Sequence, residues 1–191
     1  MKKIGLTGNI GSGKTTISMI FKTLGFAVFN ADIEAKRILS DNEELKQKIQ
    51  DFFGEQSYDQ GVLNRPYLSQ LVFNDIKQLK FLNSLIHPLV HKAFHKWCQT
   101  IDSDFALKEA AILFESGSAK ELDAVICVSC PKSLRIERLL KRDSLTLEQI
   151  EKRMNSQWTE DKIKSLSDFH ILNDGKSLVI PQVLSIYHSL K

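Results

Sequence analysis

A glycine-rich stretch near the amino terminus has the residue types and spacing that wrap a phosphate group. Residues 8–15 follow the pattern G-x-x-x-x-G-K-T. Glycines permit positive φ, so that successive backbone N–H groups can point at one anion. Lys14 would bring a positive charge to the β- and γ-phosphates, and the Thr15 hydroxyl would ligate Mg²⁺. The predicted nucleotide-binding residues are Gly8, Asn9, Ile10, Gly11, Ser12, Gly13, Lys14, Thr15 and Thr16.

The residues on either side of this loop give it the context that phosphate binding requires. Residues 4–7 are a short, largely apolar run that predicts a buried strand, and apolar residues at helical spacing follow from Ile17 to Leu24. The N-terminal donors and the dipole of that helix would add to the anion site. A glycine-rich turn that binds nothing is the alternative, and strand–loop–helix order favours phosphate binding.

A carboxylate follows the second apolar run. Residues 26–29 predict a strand, and Asp32 comes three residues later. Ligands of open parallel sheets lie beyond the carboxyl ends of the strands, so Asp32 is expected at the same edge as the phosphate loop. There it could accept the proton of an attacking hydroxyl or hold Mg²⁺ through water. It could equally cap a helix over 33–39, and both roles can coexist.

A third apolar run, 109–114, predicts a strand that ends at Glu115. An acidic residue at a strand end resembles the Walker B position that orients the Mg²⁺ shell. Local pairing of Glu115 is the alternative.

Residues 123–128 predict a fourth strand, which ends in the C-x-x-C pair Cys127 and Cys130. A redox pair would need a helix that opens at the first cysteine, so two thiols beside a buried strand are favoured.

A basic helix is predicted over 133–142. Its arginines at 135, 138 and 142 are spaced by three and four residues and share one face. A solvated basic face is one explanation. In a chain with a phosphate loop, a lid whose arginines close over the phosphates is favoured.

Residues 167–172 then predict a fifth strand, and a final helix is predicted over 179–190.

The long middle of the chain reads as helical. Residues 41–100 show no obvious strand and exceed an ordinary crossover, which suggests an inserted subdomain for an acceptor substrate. Pro88 is expected in the first turn of a new helix, with His87 as its cap. The spacing of His87, His91, His95 and Cys98 invites a metal site, but no second Cys/His pair completes one, and this interpretation is disfavoured.

The composition bounds the class of protein. The chain has 191 residues, of which 42% are hydrophobic and 26% charged, and its net charge is +3. This charge is too small to argue for nucleic acid, and no apolar run could span a bilayer. Three cysteines without a signal peptide indicate reduced thiols and a cytoplasmic location. The expected partners are small molecules, with no nucleic acid and no membrane, and the chain is expected to be a monomer or weak homo-oligomer.

Together these elements predict an α/β nucleotide-kinase fold of the P-loop type. We expect a five-stranded parallel sheet with helices on both faces, an inserted helical substrate subdomain and a basic lid. A GTPase should carry an N-K-x-D motif, which is absent. A motor or transport ATPase is usually larger, and a non-catalytic nucleotide-binding module would not need both Asp32 and an arginine-bearing lid. A small-molecule kinase fits best.

Motifs spread over residues 5–175 resemble those of the dephospho-CoA kinase family. The family's G-L-T-G-G-I-G-S-G-K-S is similar to residues 5–15, and its D-A-D-x-I-A-R to residues 30–36. Five further matches follow in order: L-x-R-x-x-L to V-F at 63–73, H-P-x-V at 87–90, P-L-L-F-E at 111–115, R-x-x-x-R-D at 138–143 with R-x-x-x-Q at 153–157, and I-x-N-x-G at 171–175. The phosphate loop alone is generic, whereas the ordered set is specific.

The chain departs from the family pattern at four positions. Asn9 stands in place of a glycine, and asparagine tolerates positive φ better than most residues. Asn30 replaces the first Asp of D-A-D, which leaves Asp32 alone to act as base. Lys36 replaces an arginine and loses bidentate phosphate geometry. Ala111 replaces a proline, which we take as a structural change only.

The resemblance implies transfer of the ATP γ-phosphoryl group to the ribose 3′-hydroxyl of dephospho-CoA, the last step of coenzyme A synthesis, with ATP and Mg²⁺ required. It implies catalytic roles for Asp32, Lys14, Arg138 and Arg142, nucleotide contact by Asn173, and acceptor binding by Lys36, Arg65 and His87 together with Asp32. The implied boundaries within the single domain 1–191 are a core of residues 1–31, 105–132 and 166–191, an insertion over 32–104 and a lid over 133–165.

Overall fold

A computed structural model gives the structure of residues 1–143 and 145–191, with the side chains of residues 73 and 74 outside the description. The strands are β1 (Lys2–Thr7), β2 (Ala27–Asn30), β3 (Tyr58–Asp59), β4 (Val62–Leu63), β5 (Phe105–Glu109), β6 (Ala124–Ser129) and β7 (Phe169–Leu172). The helices are α1 (Lys14–Thr23), α2 (Ala31–Asp41), α3 (Glu43–Phe53), α4 (Arg65–Asn74), α5 (Ile76–Cys98), α6 (Lys132–Arg142), α7 (Leu147–Asn155), α8 (Glu160–Ser165) and α9 (Val179–Leu190). They form two compact units, residues 1–30 with 101–191, and residues 31–100.

The first unit is built on a parallel sheet. Five strands of the described chain pair in the order β2-β5-β1-β6-β7. The central strand β1 pairs with β5 on one side and with β6 on the other, and Leu6 lies opposite both Glu109 and Ile126. All pairs are parallel, so the carboxyl ends of the strands meet at one edge. The predicted five-stranded parallel sheet is confirmed.

Helices α1 and α9 cover one face of this sheet. Their buried apolar side chains pack against the side chains that the sheet presents on that face. Together they form one core cluster: Ile4, Leu6, Ile17, Phe21, Phe26, Leu107, Ile126, Val128, Ile171, Val183, Ile186 and Leu190. Successive side chains of a strand alternate in direction, so a side chain at Gly5 would face the other side of the sheet. A Cβ added there would collide with the side chains of Leu113 and Leu122. Helix α8 contacts β6. The phosphate loop is thereby held between a buried central strand and a helix with a buried face.

The third strand lies earlier in the sequence than predicted. We expected it over 109–114, but β5 ends at Glu109, and residues 111–117 form turns. Periodicity alone cannot distinguish a short apolar run in a strand from one in a buried turn, and Leu113 is fully buried without being in the sheet. Lys108 interrupts the apolar pattern of residues 105–109, whereas no charged residue interrupts the run 110–114. The residue at the end of this strand is therefore Glu109 and not Glu115.

The second unit, residues 31–100, is mainly helical, as predicted. Asn42, Asn64 and Asp75 cap α3, α4 and α5 by accepting backbone N–H groups through their side chains. Helix α3 ends at Phe53, and Gly54 follows it with φ 94°, a conformation that favours glycine. The two-residue strands β3 and β4 form a small antiparallel pair that the sequence pattern had not shown. Helix α5 contacts both α2 and α4 within this unit.

The proline of the His87-Pro88 pair does not begin a helix. Helix α5 runs from Ile76 to Cys98 with Pro88 inside it, so the prediction of a helix start, with His87 as its cap, is wrong. The energetic penalty of one missing N–H donor is outweighed here by a helix of 23 residues whose buried side includes Ile86, Val90 and Phe94.

Among the described residues, no helix is both long and apolar enough to cross a membrane.

We predict that Pro88→Ala stabilises the protein. Pro88 is exposed, so alanine removes little packing, and it restores the backbone donor that an interior helical proline lacks. The free energy of unfolding in urea, followed by circular dichroism, should rise by about 1–3 kcal/mol. Pro66→Ala is the matched control: Pro66 is also exposed but lies in the first turn of α4, where proline is favourable, so no such gain is expected. Equal or lower stability of Pro88→Ala would contradict this account.

Candidate active site

The phosphate loop joins β1 to α1 at the carboxyl edge of the sheet. Gly8 and Gly13 have φ of 145° and 93°, and a Cβ at either position would collide with a neighbour, the Val128 carbonyl oxygen for Gly8 and the Asn173 side-chain amide for Gly13. Glycine is therefore required at both positions by backbone conformation and by space. Helix α1 starts at Lys14 with Gly13 as its cap, so its first N–H groups face the loop.

Lys14 and Thr15 leave the loop in different directions. The Lys14 Nζ atom donates to the carbonyl oxygens of Gly8 at 2.8 Å and Asn9 at 3.4 Å, which holds the ammonium group over the loop. The Thr15 hydroxyl donates to Glu109 Oε1 at 2.8 Å. Thr16 is exposed on α1. The loop thus presents a cation on one side and a hydroxyl paired with a carboxylate on the other.

Glu109 is a candidate site residue that sequence reasoning missed. Its Oε1 accepts from Thr15 and its Oε2 accepts from the Ser18 hydroxyl at 2.8 Å, and only 4% of the residue is exposed. A buried carboxylate is tolerated because both oxygens are hydrogen-bonded. It ends β5 beside the central strand, which is where the sequence analysis expected a Walker B residue and had predicted Glu115. The available signal was the run Phe105 to Leu107 before it, which Lys108 interrupts.

Glu115 lies after β5, among the turns of residues 111–117. Its Oε1 accepts from the backbone N–H of Trp158 at 3.1 Å, and its buried Oε2 makes no hydrogen bond to any described residue. Trp158 lies 43 positions away in sequence, so this contact is not the local pairing that the sequence had left open, and the Walker B role of Glu115 stays a prediction.

Arg138 of α6 reaches the loop. Its Nη1 atom lies 3.5 Å from the Ser12 carbonyl oxygen, and its Nη2 atom lies 3.3 Å and 3.4 Å from the backbone and side-chain oxygens of Asn173. Asn173 itself donates from Nδ2 to the Ser12 carbonyl oxygen at 2.8 Å. The loop, the start of the predicted lid and the turn after β7 therefore converge at Ser12.

The other two arginines of α6 behave differently. Arg135 is buried and donates from Nε to the Cys130 carbonyl oxygen at 3.0 Å, and its backbone lies against Gly11. Arg142 is exposed and binds Asp143 with two hydrogen bonds of 2.8 Å and 2.9 Å. These bonds raise the pKa of Arg142 and lower the pKa of Asp143. The structure thus brings Arg138 to the loop but not Arg142, whose catalytic role remains a prediction.

The cysteines beside β6 do not form a redox pair. Cys98, Cys127 and Cys130 are all buried free thiols. Burial raises the pKa of Cys127 to about 11 and also raises the pKa of Cys130, so that both thiols stay protonated at neutral pH. The prediction of two thiols beside a buried strand is confirmed.

The residues predicted to serve the acceptor all lie in the unit of residues 31–100. Asp32 is in the first turn of α2, which begins one residue earlier, so it is not the capping residue of that helix. Lys36 follows one turn later on α2, and both residues are exposed. Arg65 is the first residue of α4, and His87 lies near the middle of α5.

Comparison with known proteins shows which family the chain belongs to. A family model described as dephospho-CoA kinase matches residues 2–178. A dephospho-CoA kinase from Bacteroides fragilis is 36% identical over 185 residues, which cover 96% of this chain and 90% of the relative.

Solved structures give the same result for the fold. TT1252 from Thermus thermophilus matches with a TM-score of 0.86 and 28% identity over 99% of this chain and 97% of the other. A dephospho-CoA kinase from Campylobacter jejuni matches with a TM-score of 0.70 and 29% identity over 100% and 98%. With the family model spanning nearly the whole sequence, the chain belongs to the dephospho-CoA kinase family, whose members catalyse the final step of coenzyme A biosynthesis.

Proposed function

We propose that this chain transfers the γ-phosphoryl group of ATP to the ribose 3′-hydroxyl of dephospho-CoA and releases ADP and coenzyme A. The observation that carries the proposal is the juxtaposition of the phosphate loop, the Thr15–Glu109 pair and Arg138 in a member of this family. Phosphoryl transfer needs positioning and charge stabilisation more than covalent chemistry, and these groups supply both.

The nucleotide phosphates would be held by backbone and side chains of the loop. The N–H groups of Gly11 and of residues 13–16 would form the anion site, and Lys14, already positioned over the loop, would carry its charge to the β- and γ-phosphates. Arg138 would meet the charge that develops on the transferring group, since its guanidinium already lies at Ser12. Asn173, bonded to the same carbonyl, would line the nucleotide side of the loop.

Thr15 and Glu109 fit a magnesium ion. Mg²⁺ prefers hard oxygen ligands, and here a hydroxyl oxygen and a carboxylate oxygen lie 2.8 Å apart at the end of a strand. Thr15 would bind the ion and Glu109 would orient it, directly or through water. When bound, the ion neutralises charge on the β- and γ-phosphates.

Asp32 would act as the general base. Strand β2 ends at Asn30, which lies opposite Glu109 in the register with β5, and Asp32 follows two residues later in the chain. Its position in the first turn of α2 stabilises the carboxylate, because the positive end of the helix dipole favours negative charge. There Asp32 would accept the proton of the attacking 3′-hydroxyl.

The remaining predicted groups would serve the acceptor and the lid. We assign Lys36, Arg65 and His87, within the insertion over 32–104, to the phosphate and ribose side of dephospho-CoA. Arg142, in the lid over 133–165, would have to exchange its Asp143 partner for a phosphate oxygen to contribute. Both assignments follow the family resemblance of these positions.

We further infer that the protein acts in the cytoplasm on small-molecule substrates, as a monomer or weak homo-oligomer. The support for a reducing compartment is the odd number of cysteines, three, in a chain with an ordinary globular composition.

The acceptor is tested by product identification. With Mg-ATP, we expect ADP release with dephospho-CoA and a product with the mass of coenzyme A, and no more than background release with adenosine, AMP or shikimate as acceptor. The physical reason is that the insertion is expected to bind the whole acceptor. Turnover with another acceptor, and none with dephospho-CoA, would overturn the proposal.

The base is tested by Asp32→Asn. This change keeps the shape of the side chain but removes its ability to take a proton, so kcat should fall by roughly 10²-fold or more while ATP binding is retained. Glu34→Gln is the matched control, an acidic residue in the same turn that pairs with Arg37, and it should keep its turnover. Near-normal kcat in Asp32→Asn, measured by coupled ADP release, would remove Asp32 from the base role.

A further inference from the structure

Two consecutive residues of the phosphate loop are bonded to two consecutive residues of the linker between α7 and α8. Asn9 donates from Nδ2 to the Trp158 carbonyl oxygen at 2.9 Å, and the backbone N–H of Ile10 donates to Gln157 Oε1 at 2.8 Å. We call these four residues the loop clasp. The N–H of Ile10 is thereby directed at a side chain of the linker, and the clasp fixes the path of the loop at its first turn.

The linker side of the clasp is itself anchored. Gln157 donates from Nε2 to the Ala111 carbonyl oxygen at 3.2 Å, and the Trp158 N–H donates to Glu115 at 3.1 Å. The Lys162 ammonium lies 3.3 Å from the centre of the Trp158 ring, which adds a cation–π contact. The linker is therefore tied both to the loop and to the segment that follows β5.

The side chain of Ile10 joins the same loop to the apolar core of the lid. It packs against a cluster of three buried residues, Leu139 of α6 with Ile150 and Met154 of α7. This small cluster holds α6 and α7 together. An apolar side chain of the phosphate loop is thus part of the packing between the two lid helices.

Asn9 is not present because of backbone strain. Within the described chain, Gln60 is the one non-glycine residue with positive φ, so asparagine at position 9 is not needed for a left-handed conformation. The residue is only 4% exposed, and its Oδ1 atom makes no hydrogen bond to any described residue. A buried acceptor without a partner is unfavourable, so stability alone does not explain an asparagine here. What Asn9 contributes is its donor to Trp158.

We propose that Asn9 and Gln157 are positioning residues for phosphoryl transfer, which lock the phosphate loop to both ends of the lid. Helix α6 brings Arg138 to Ser12 at one end, and the clasp holds residues 9 and 10 at the other. The position of Arg138 at the phosphates then depends on the clasp. This proposal rests on the proposed function for its kinetic part, while its structural part can be tested without any transfer.

The test compares Asn9→Ala and Gln157→Ala with Gln149→Ala. The control removes another glutamine amide of the lid, one that caps α7 and does not contact the loop. Loss of one positioning hydrogen bond should lower kcat about five- to tenfold in each clasp variant, with the KM for ATP changed less than about threefold. The Tm of Asn9→Ala should stay within about 4 °C of the parent, because the change also removes an unpaired buried oxygen. Gln149→Ala should keep its kcat.

A fluorescence measurement separates this proposal from the proposed function. The chain has two tryptophans, so that Trp97→Phe leaves Trp158 as the single emitter. In that background, Asn9→Ala should increase quenching of Trp158 by acrylamide, and Gln149→Ala should not. Increased quenching together with reduced kcat supports the proposal. Unchanged quenching overturns the proposal, whether or not the protein transfers phosphate. In a protein that transfers phosphate, increased quenching with unchanged kcat also overturns it. If neither the parent nor any variant transfers phosphate to dephospho-CoA, the proposed function is what fails.

Discussion

The site depends on one buried carboxylate that ties the sheet to the helix behind the phosphate loop. Glu109 ends β5 and accepts hydrogen bonds from Thr15 and Ser18 on α1. Because a buried charge is costly unless it is hydrogen-bonded, these two hydroxyls and the carboxylate hold one another in place. The same arrangement puts a magnesium-compatible pair of oxygens at the start of α1, next to the loop that is to bind the phosphates. Structure and chemistry therefore rest on the same contacts.

Much of this architecture could be predicted because its signals are local. The loop pattern requires glycines where φ is positive, and Gly8 and Gly13 meet that requirement. The strand before it and the amphipathic helix after it follow from hydrophobic periodicity, as does α9. The basic helix of the lid was visible from the spacing of its arginines. In each case a short run of residues carries the physical cause of its own conformation.

The features that could not be predicted are set by tertiary context. Lys108 lies in β5, an inner strand, with 1% of its surface exposed, and its charge makes residues 105–109 look less apolar than 110–114. Pro88 sits inside α5 because packing along a long helix outweighs one missing donor. Asn9 reads as a conservative exchange for glycine, yet its amide reaches Trp158, almost 150 residues away in sequence. Only the fold reveals that partner. Likewise, only the fold shows that Arg138 contacts the phosphate loop whereas Arg142 binds Asp143.

The central claim is that Glu109, and not Glu115, is the acidic residue of the magnesium site that we propose. The most direct measurement is ATP affinity by calorimetry, with and without Mg²⁺, for Glu109→Gln and Glu115→Gln. Our account predicts that Glu109→Gln loses about tenfold or more of the affinity gained with Mg²⁺, while Glu115→Gln keeps that gain. Retention of the gain in Glu109→Gln and its loss in Glu115→Gln would contradict the account.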